Sequence, residues 1–149
     1  MYKRIAVAVD GSKTSDKALR EAINLAREMD AGILLLHASE EMPVMWEPGG
    51  TNMMPTQDIM QAISEAGKVL LEKQRAQVAG QGVAVETKLA ETYGGRVGGI
   101  ISEEAQKWNA DLLVLGTHGR KGLDHLLMGS VAEQVMRTAP MPVLLIRGT

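Results

Sequence analysis

Five short apolar runs punctuate the chain, and helical patterns separate them. Ile5-Ala6-Val7-Ala8-Val9 is apolar at every position, the mark of a strand covered on both faces. Asp10-Gly11-Ser12 breaks it, and Ser12, Thr14 and Ser15 each suit a helix N-cap. Ala18, Leu19, Ala22, Ile23, Ala26 and Met29 then recur at helical spacing. Gly32 suits a stop beyond that helix, and Ile33 to Leu36 form a second buried strand ending at His37-Ala38. Ser39 to Pro55, with three prolines and Gly49-Gly50, reads as a long loop. Thr56 suits the cap of a helix with the stripe Ile59, Ile63, Ala66 and Leu70, running to about Val78. Val83, Val85, Thr87 and Leu89 alternate with polar neighbours, as in a strand near a sheet edge. Arg96 to Trp108 reads as a helix with Val97, Ile100, Ile101, Ala105 and Trp108 inward, its first turn weakened by Gly98 and Gly99. Leu112 to Leu115 is a fourth strand, Ser130 to Arg137 a short helix, and Val143 to Ile146 a fifth strand.

Strict alternation of strands and helices predicts an α/β fold: a five-stranded parallel sheet with helices on both faces. The third strand's edge-like pattern favours the order 3-2-1-4-5 over 2-1-3-4-5. A length of 149 residues suits one domain, spanning 1–149. The absence of cysteine excludes disulfides, thiolate metal sites and a cysteine nucleophile. Sixteen basic against 18 acidic residues give no electrostatic case for nonspecific nucleic-acid binding. No stretch is apolar enough for a signal-peptide core or a membrane span, so a cytoplasmic protein without membrane insertion is expected.

Composition becomes informative through position. With order 3-2-1-4-5, a ligand should sit beyond the carboxyl ends of strands 1 and 4, where the strand order reverses. The segments leaving those strands are Asp10-Gly11-Ser12 and Gly116-Thr117-His118-Gly119. Gly129-Ser130 then precedes a helix, whose first N–H groups and positive dipole end suit a phosphate. Two glycine clusters with a hydroxyl at the second form a candidate phosphate cradle. Its spacing differs from the Walker pattern and from the dinucleotide GxGxxG fingerprint.

Gly116-x2-Gly119-x9-Gly129-Ser130 resembles the nucleotide motif of the universal stress protein family, in its ATP-binding subgroup. Val9-Asp10-Gly11-Ser12 is similar to the family's opening, and Ala139-Pro140-Met141-Pro142-Val143-Leu144-Leu145-Ile146 to its closing strand. The resemblance covers almost the whole chain. It implies a Rossmann-like, adenine nucleotide alpha-hydrolase-like fold, bound ATP (or AMP or ADP) with magnesium, and a homodimer through the last strand. By position it places Asp10 near the ribose or base, and Ala38 against adenine through its backbone, with Leu115 on the same side. Gly116, Gly119, Gly129 and Ser130 would hold phosphates and ribose, Val131 would lend its N–H, and Thr117 keeps a hydroxyl where the family often has serine. Tyr93-Gly94-Gly95 departs from the family, which often has proline before the third helix.

The function expected is a nucleotide-dependent stress-response or regulatory binding module acting on an unidentified protein client. The alternative is a slow ATPase or a phosphoryl or adenylyl transferase using the same site. Asp10 serves as ligand contact, as a magnesium ligand through the nucleotide, or as a simple turn residue. His118 is a phosphate contact, a general base or an exposed loop histidine. Arg120 and Lys121 screen phosphate charge or are solvated. His37 is a structural histidine ending a buried strand, and no carboxylate joins the histidines at metal-ligand spacing. Val143 to Ile146 lacks a charge until Arg147, so as a sheet edge it invites pairing with its twin.

Overall fold

The computed structural model describes residues 1–39, 45–46, 52–53, 57–92, 96–119 and 128–148. In chain order the elements are β1 (Arg4–Ala8), α1 (Lys13–Met29), β2 (Gly32–Ala38), β3 (Met45–Trp46), β4 (Asn52–Met53) and α2 (Gln57–Gly80). There follow β5 (Val85–Ala90), α3 (Val97–Lys107), β6 (Leu112–Gly116), α4 (Ser130–Thr138) and β7 (Val143–Ile146). The main sheet is parallel, in the order β5-β2-β1-β6-β7. Counting only its own strands, this is the expected 3-2-1-4-5.

Side-chain alternation divides the core into two layers. Ile5, Val7, Ile33, Leu35, Leu112 and Val114 pack in one layer with α1 and the second half of α2. Ala6, Leu34, Leu36, Leu113 and Leu115 face the other, with Ile101 and Ala105 of α3 and Ala132 and Val135 of α4. Because the residues of these three strands after Arg4 are covered on one face or the other, their sequences read as nearly unbroken apolar runs.

The local differences from expectation have identifiable causes. Helix α1 stops at Asp30, not at Gly32: Asp30 takes the left-handed conformation (φ 52°) and its N–H bonds the Ala26 carbonyl. Aspartate tolerates that region through its short polar side chain, and Gly32 is free to open β2. The buried face of α2 is Gly67, Leu71, Gln74 and Val78, while Ile59 and Ala66 of the expected stripe are exposed. The helix approaches the sheet at Gly67, where a Cβ would come within 2.9 Å of Leu89 Cδ1 and His37 Cδ2. A hydropathy stripe does not register a contact made by a missing side chain. Gly98 acts likewise in α3, since a Cβ there would collide with Gln134 Cβ and the Val131 carbonyl of α4. Within the stretch read as loop, β3 and β4 pair antiparallel, Met45 with Met53 and Trp46 with Asn52. Two-residue strands are too short for alternation to reveal. Tyr93-Gly94-Gly95 and Thr56 lie outside the described residues.

Candidate functional site

The strand order reverses between β1 and β6, so the crevice forms where these two parallel neighbours end. On the β1 side the chain closes a compact turn on itself. The Ser12 N–H donates to Asp10 Oδ1 (2.8 Å), the Asp10 N–H to Ser15 Oγ (3.0 Å), and the Ser15 N–H to Ser12 Oγ (3.2 Å). Gly11, at φ 80°, supplies the left-handed residue the turn requires. Ser12 is therefore the N-cap of α1, chosen among the three hydroxyl candidates. One carboxylate oxygen of Asp10 closes this turn, and the other faces β6's loop: a Cβ on Gly119 would lie 2.6 Å from Asp10 Oδ2.

On the β6 side the backbone of Thr117 is held on both sides of its Cα. Its N–H donates to the Ile146 carbonyl of β7 (2.9 Å), and its carbonyl accepts from the Gly129 N–H (2.7 Å). The Thr117 hydroxyl and His118 Nδ1 share a hydrogen bond of 3.0 Å. Gly129 is the N-cap of α4 and has no side chain to offer. Helix α4 thus begins with no side-chain cap, its first N–H groups at the crevice. Gly116 passes against Thr14, whose Cγ2 would sit 2.6 Å from a Cβ at that position. Bare backbone on three sides, a helix start and a carboxylate make a cradle suited to a phosphorylated polar ligand.

The cluster therefore unites Asp10, Gly116, Thr117, His118, Gly119, Gly129 and Ser130, the last exposed as the first residue of α4. Val131 is half-buried, with its carbonyl on Gly98. Leu115 is 3% exposed with its side chain in the α3–α4 core, which leaves only its backbone to meet a ligand. Ala38 ends β2, across β1 from the glycine cluster. Arg120 lies outside the described residues. His37 is buried and bonds Val9: the carbonyl can only accept, so Nδ1 carries the proton in this 2.7 Å contact. Sequence reasoning had no signal for Thr14 as a wedge, or for Gly148, whose Cβ would lie 2.7 Å from Thr14 Oγ1. Among the described residues no group of three or more histidines or carboxylates is arranged to hold a metal ion.

The model of the universal stress protein family matches residues 1–147. The chain belongs to the universal stress protein family. A universal stress protein of Methanocaldococcus jannaschii is 35% identical over 147 residues, covering 99% of this chain and 83% of that one. A solved family member from Burkholderia pseudomallei is 30% identical with TM-score 0.75, covering 97% and 96% of the two chains. The universal stress protein of Archaeoglobus fulgidus, solved in complex with dAMP, is 27% identical with TM-score 0.65, covering 97% and 98%. Universal stress proteins share the Rossmann-like α/β architecture found here.

Proposed function

We propose that this universal stress protein binds an adenine nucleotide, ATP foremost, between the ends of β1 and β6, and works as a nucleotide-dependent regulatory module. The observation that carries the reading is the start of α4, without a side-chain cap and tied by the Gly129–Thr117 bond to the glycines that follow β6. An anion there gains the helix dipole and the first N–H groups of a helix whose glycine N-cap brings no side chain to them. The dAMP complex of the A. fulgidus protein supports the adenine nucleotide class. Gly116, Gly119, Gly129, Ser130 and the Val131 N–H would hold phosphates and ribose, with the Ala38 and Leu115 backbone toward the base. Asp10 Oδ2, on the crevice side of its turn, is the oxygen placed for a ribose hydroxyl or for the magnesium of a metal–nucleotide complex. Magnesium would supply charge neutralisation between phosphates.

The same reading makes the protein a cytoplasmic homodimer that signals to a protein client. β7 pairs with β6 alone, and its other edge carries no strand among the described residues. Val143-Leu144-Leu145-Ile146, half-buried throughout, offers apolar side chains and unpaired peptides to a second copy. Among the described residues no helix is long and apolar enough to cross a membrane.

The test is thermal: ATP should raise the melting temperature of the wild type, and Gly119→Val should abolish the rise by placing a side chain on the Asp10 carboxylate. An ATP titration by calorimetry that gives no heat at any temperature, with no thermal shift, would remove the proposal. One observation favours the enzymatic alternative, the Thr117–His118 hydrogen bond that orients an imidazole beside the cradle. Single-turnover product formation from ATP, lost in His118→Ala, would establish it.

A further inference from the structure

We propose that nucleotide binding in the crevice and pairing of β7 with a second copy of this chain are thermodynamically linked through the backbone of Thr117. The inference rests on the functional reading above and adds how one site regulates the other. Three residues are joined in sequence: the Ile146 carbonyl accepts from the Thr117 N–H, and the Thr117 carbonyl accepts from the N–H of Gly129, the residue that starts α4. One residue, held through the two peptides that flank its Cα, therefore joins the carboxyl end of the edge strand to the helix start that receives the phosphate. Ile146 is also the register partner of Gly116, so β7 ends level with the first glycine of the cradle.

A second connection runs behind the first. Thr14 wedges between Gly116 and Gly148, its Cγ2 against one and its Oγ1 against the other. Lys17, one turn along α1, donates from Nζ to the Arg147 carbonyl at 3.0 Å. The residues after β7 are thus strapped to the helix whose own start forms the other wall of the crevice.

The sign of the coupling follows from ordering. A phosphate at α4 immobilises Gly129 and, through the Gly129–Thr117 bond, restricts the backbone on both sides of the Thr117 Cα. That fixes Thr117 and, through it, the end of β7. A second copy then docks on a strand that has already lost part of its freedom, which is positive cooperativity without a change of fold. Linkage requires the reverse as well: the dimer binds nucleotide more tightly than the monomer.

The experiment is sedimentation of a dilution series with and without saturating ATP, beside calorimetry that reports ATP binding on its own. ATP should tighten the dimer by about 5- to 150-fold, the usual range of coupling between two sites. At monomeric dilution ATP should also slow amide exchange in Val143 to Ile146. Lys17→Met, which touches no cradle residue, should bind ATP as a dilute monomer with unchanged Kd and lose much of the tightening. An unchanged dimer constant with ATP demonstrably bound would overturn the linkage and leave nucleotide binding standing. Absence of ATP binding would strike the functional reading itself, and the linkage with it.

Discussion

The starts of α1, α3 and α4 lie at the carboxyl end of the sheet, and each treats its first N–H groups differently. Helix α1 is closed by its own chain, with Ser12 as cap and Asp10 bracing the turn. Helix α3 has no cap of its own, and Gln134 of α4 supplies one by accepting from the Gly98 N–H at 2.8 Å. Helix α4 begins at Gly129, with no side-chain cap. The two satisfied starts hold structure in place, and the third receives no side-chain cap from its N-cap residue. Chemical readiness therefore shows as a departure from the way the other two ends are finished.

Filling the open start should have the largest effect. Gly129→Asp would give α4 a cap and place a carboxylate where the proposed phosphate would sit. Two charges about 4 Å apart in a half-buried site repel by about 4 kcal/mol, so calorimetry should find ATP binding weakened at least ~100-fold while helix content holds. An ATP Kd within a few-fold of the wild type would mean that α4 is not the anion site. Next comes Gly98→Ala, which overpacks the α3–α4 contact and should cost about 1–3 kcal/mol in denaturant unfolding. Its neighbour gives the control: nothing stands within 4 Å of a Cβ on Gly99. Gly99→Ala should stabilise by up to about 1 kcal/mol. Removing the closed cap is milder than overpacking: Ser12→Ala should cost about 1 kcal/mol of stability, with ATP affinity reduced far less than in Gly129→Asp. If Ser12→Ala instead abolished binding with stability intact, the β1 turn would be the anion site and the contrast between the helix starts would collapse.

The two sheet edges repeat the lesson at larger scale. β5 presents Glu86, Thr87 and Lys88, all exposed, which discourage a neighbouring strand. β7 presents only apolar residues. The sequence carries this asymmetry openly, because charge on an edge strand is a local property.

How much was legible depended on whether a residue's role was local. The unbroken runs Ile5 to Val9, Ile33 to Leu36 and Leu112 to Leu115 announced central strands because burial on both faces leaves no polar position. The alternating Val83 to Leu89 pattern placed its strand at the edge, and with it the order of the sheet. The glycines at 116, 119 and 129 showed close approach of backbone as a missing side chain: a Cβ there would meet Thr14, the Asp10 carboxylate and the Thr117 carbonyl. Gly67 and Gly98 carried the same requirement for helix packing, but the α2 stripe passes over Gly67 and Gly98 reads only as a weak helix turn. Nothing in a hydropathy pattern separates a glycine at a crevice from one that faces another helix.

The sequence by itself thus determined the layer architecture, the crevice and the glycine framework, because periodicity and the absence of side chains are written residue by residue. Only the tertiary structure decided which of Ser12, Thr14 and Ser15 caps α1, that Gln134 finishes α3, that Thr14 wedges between Gly116 and Gly148, and that the backbone of Thr117 joins β7 to α4. Those are contacts between segments as much as 134 residues apart. Their partners are selected by the folded geometry, and no local pattern encodes them.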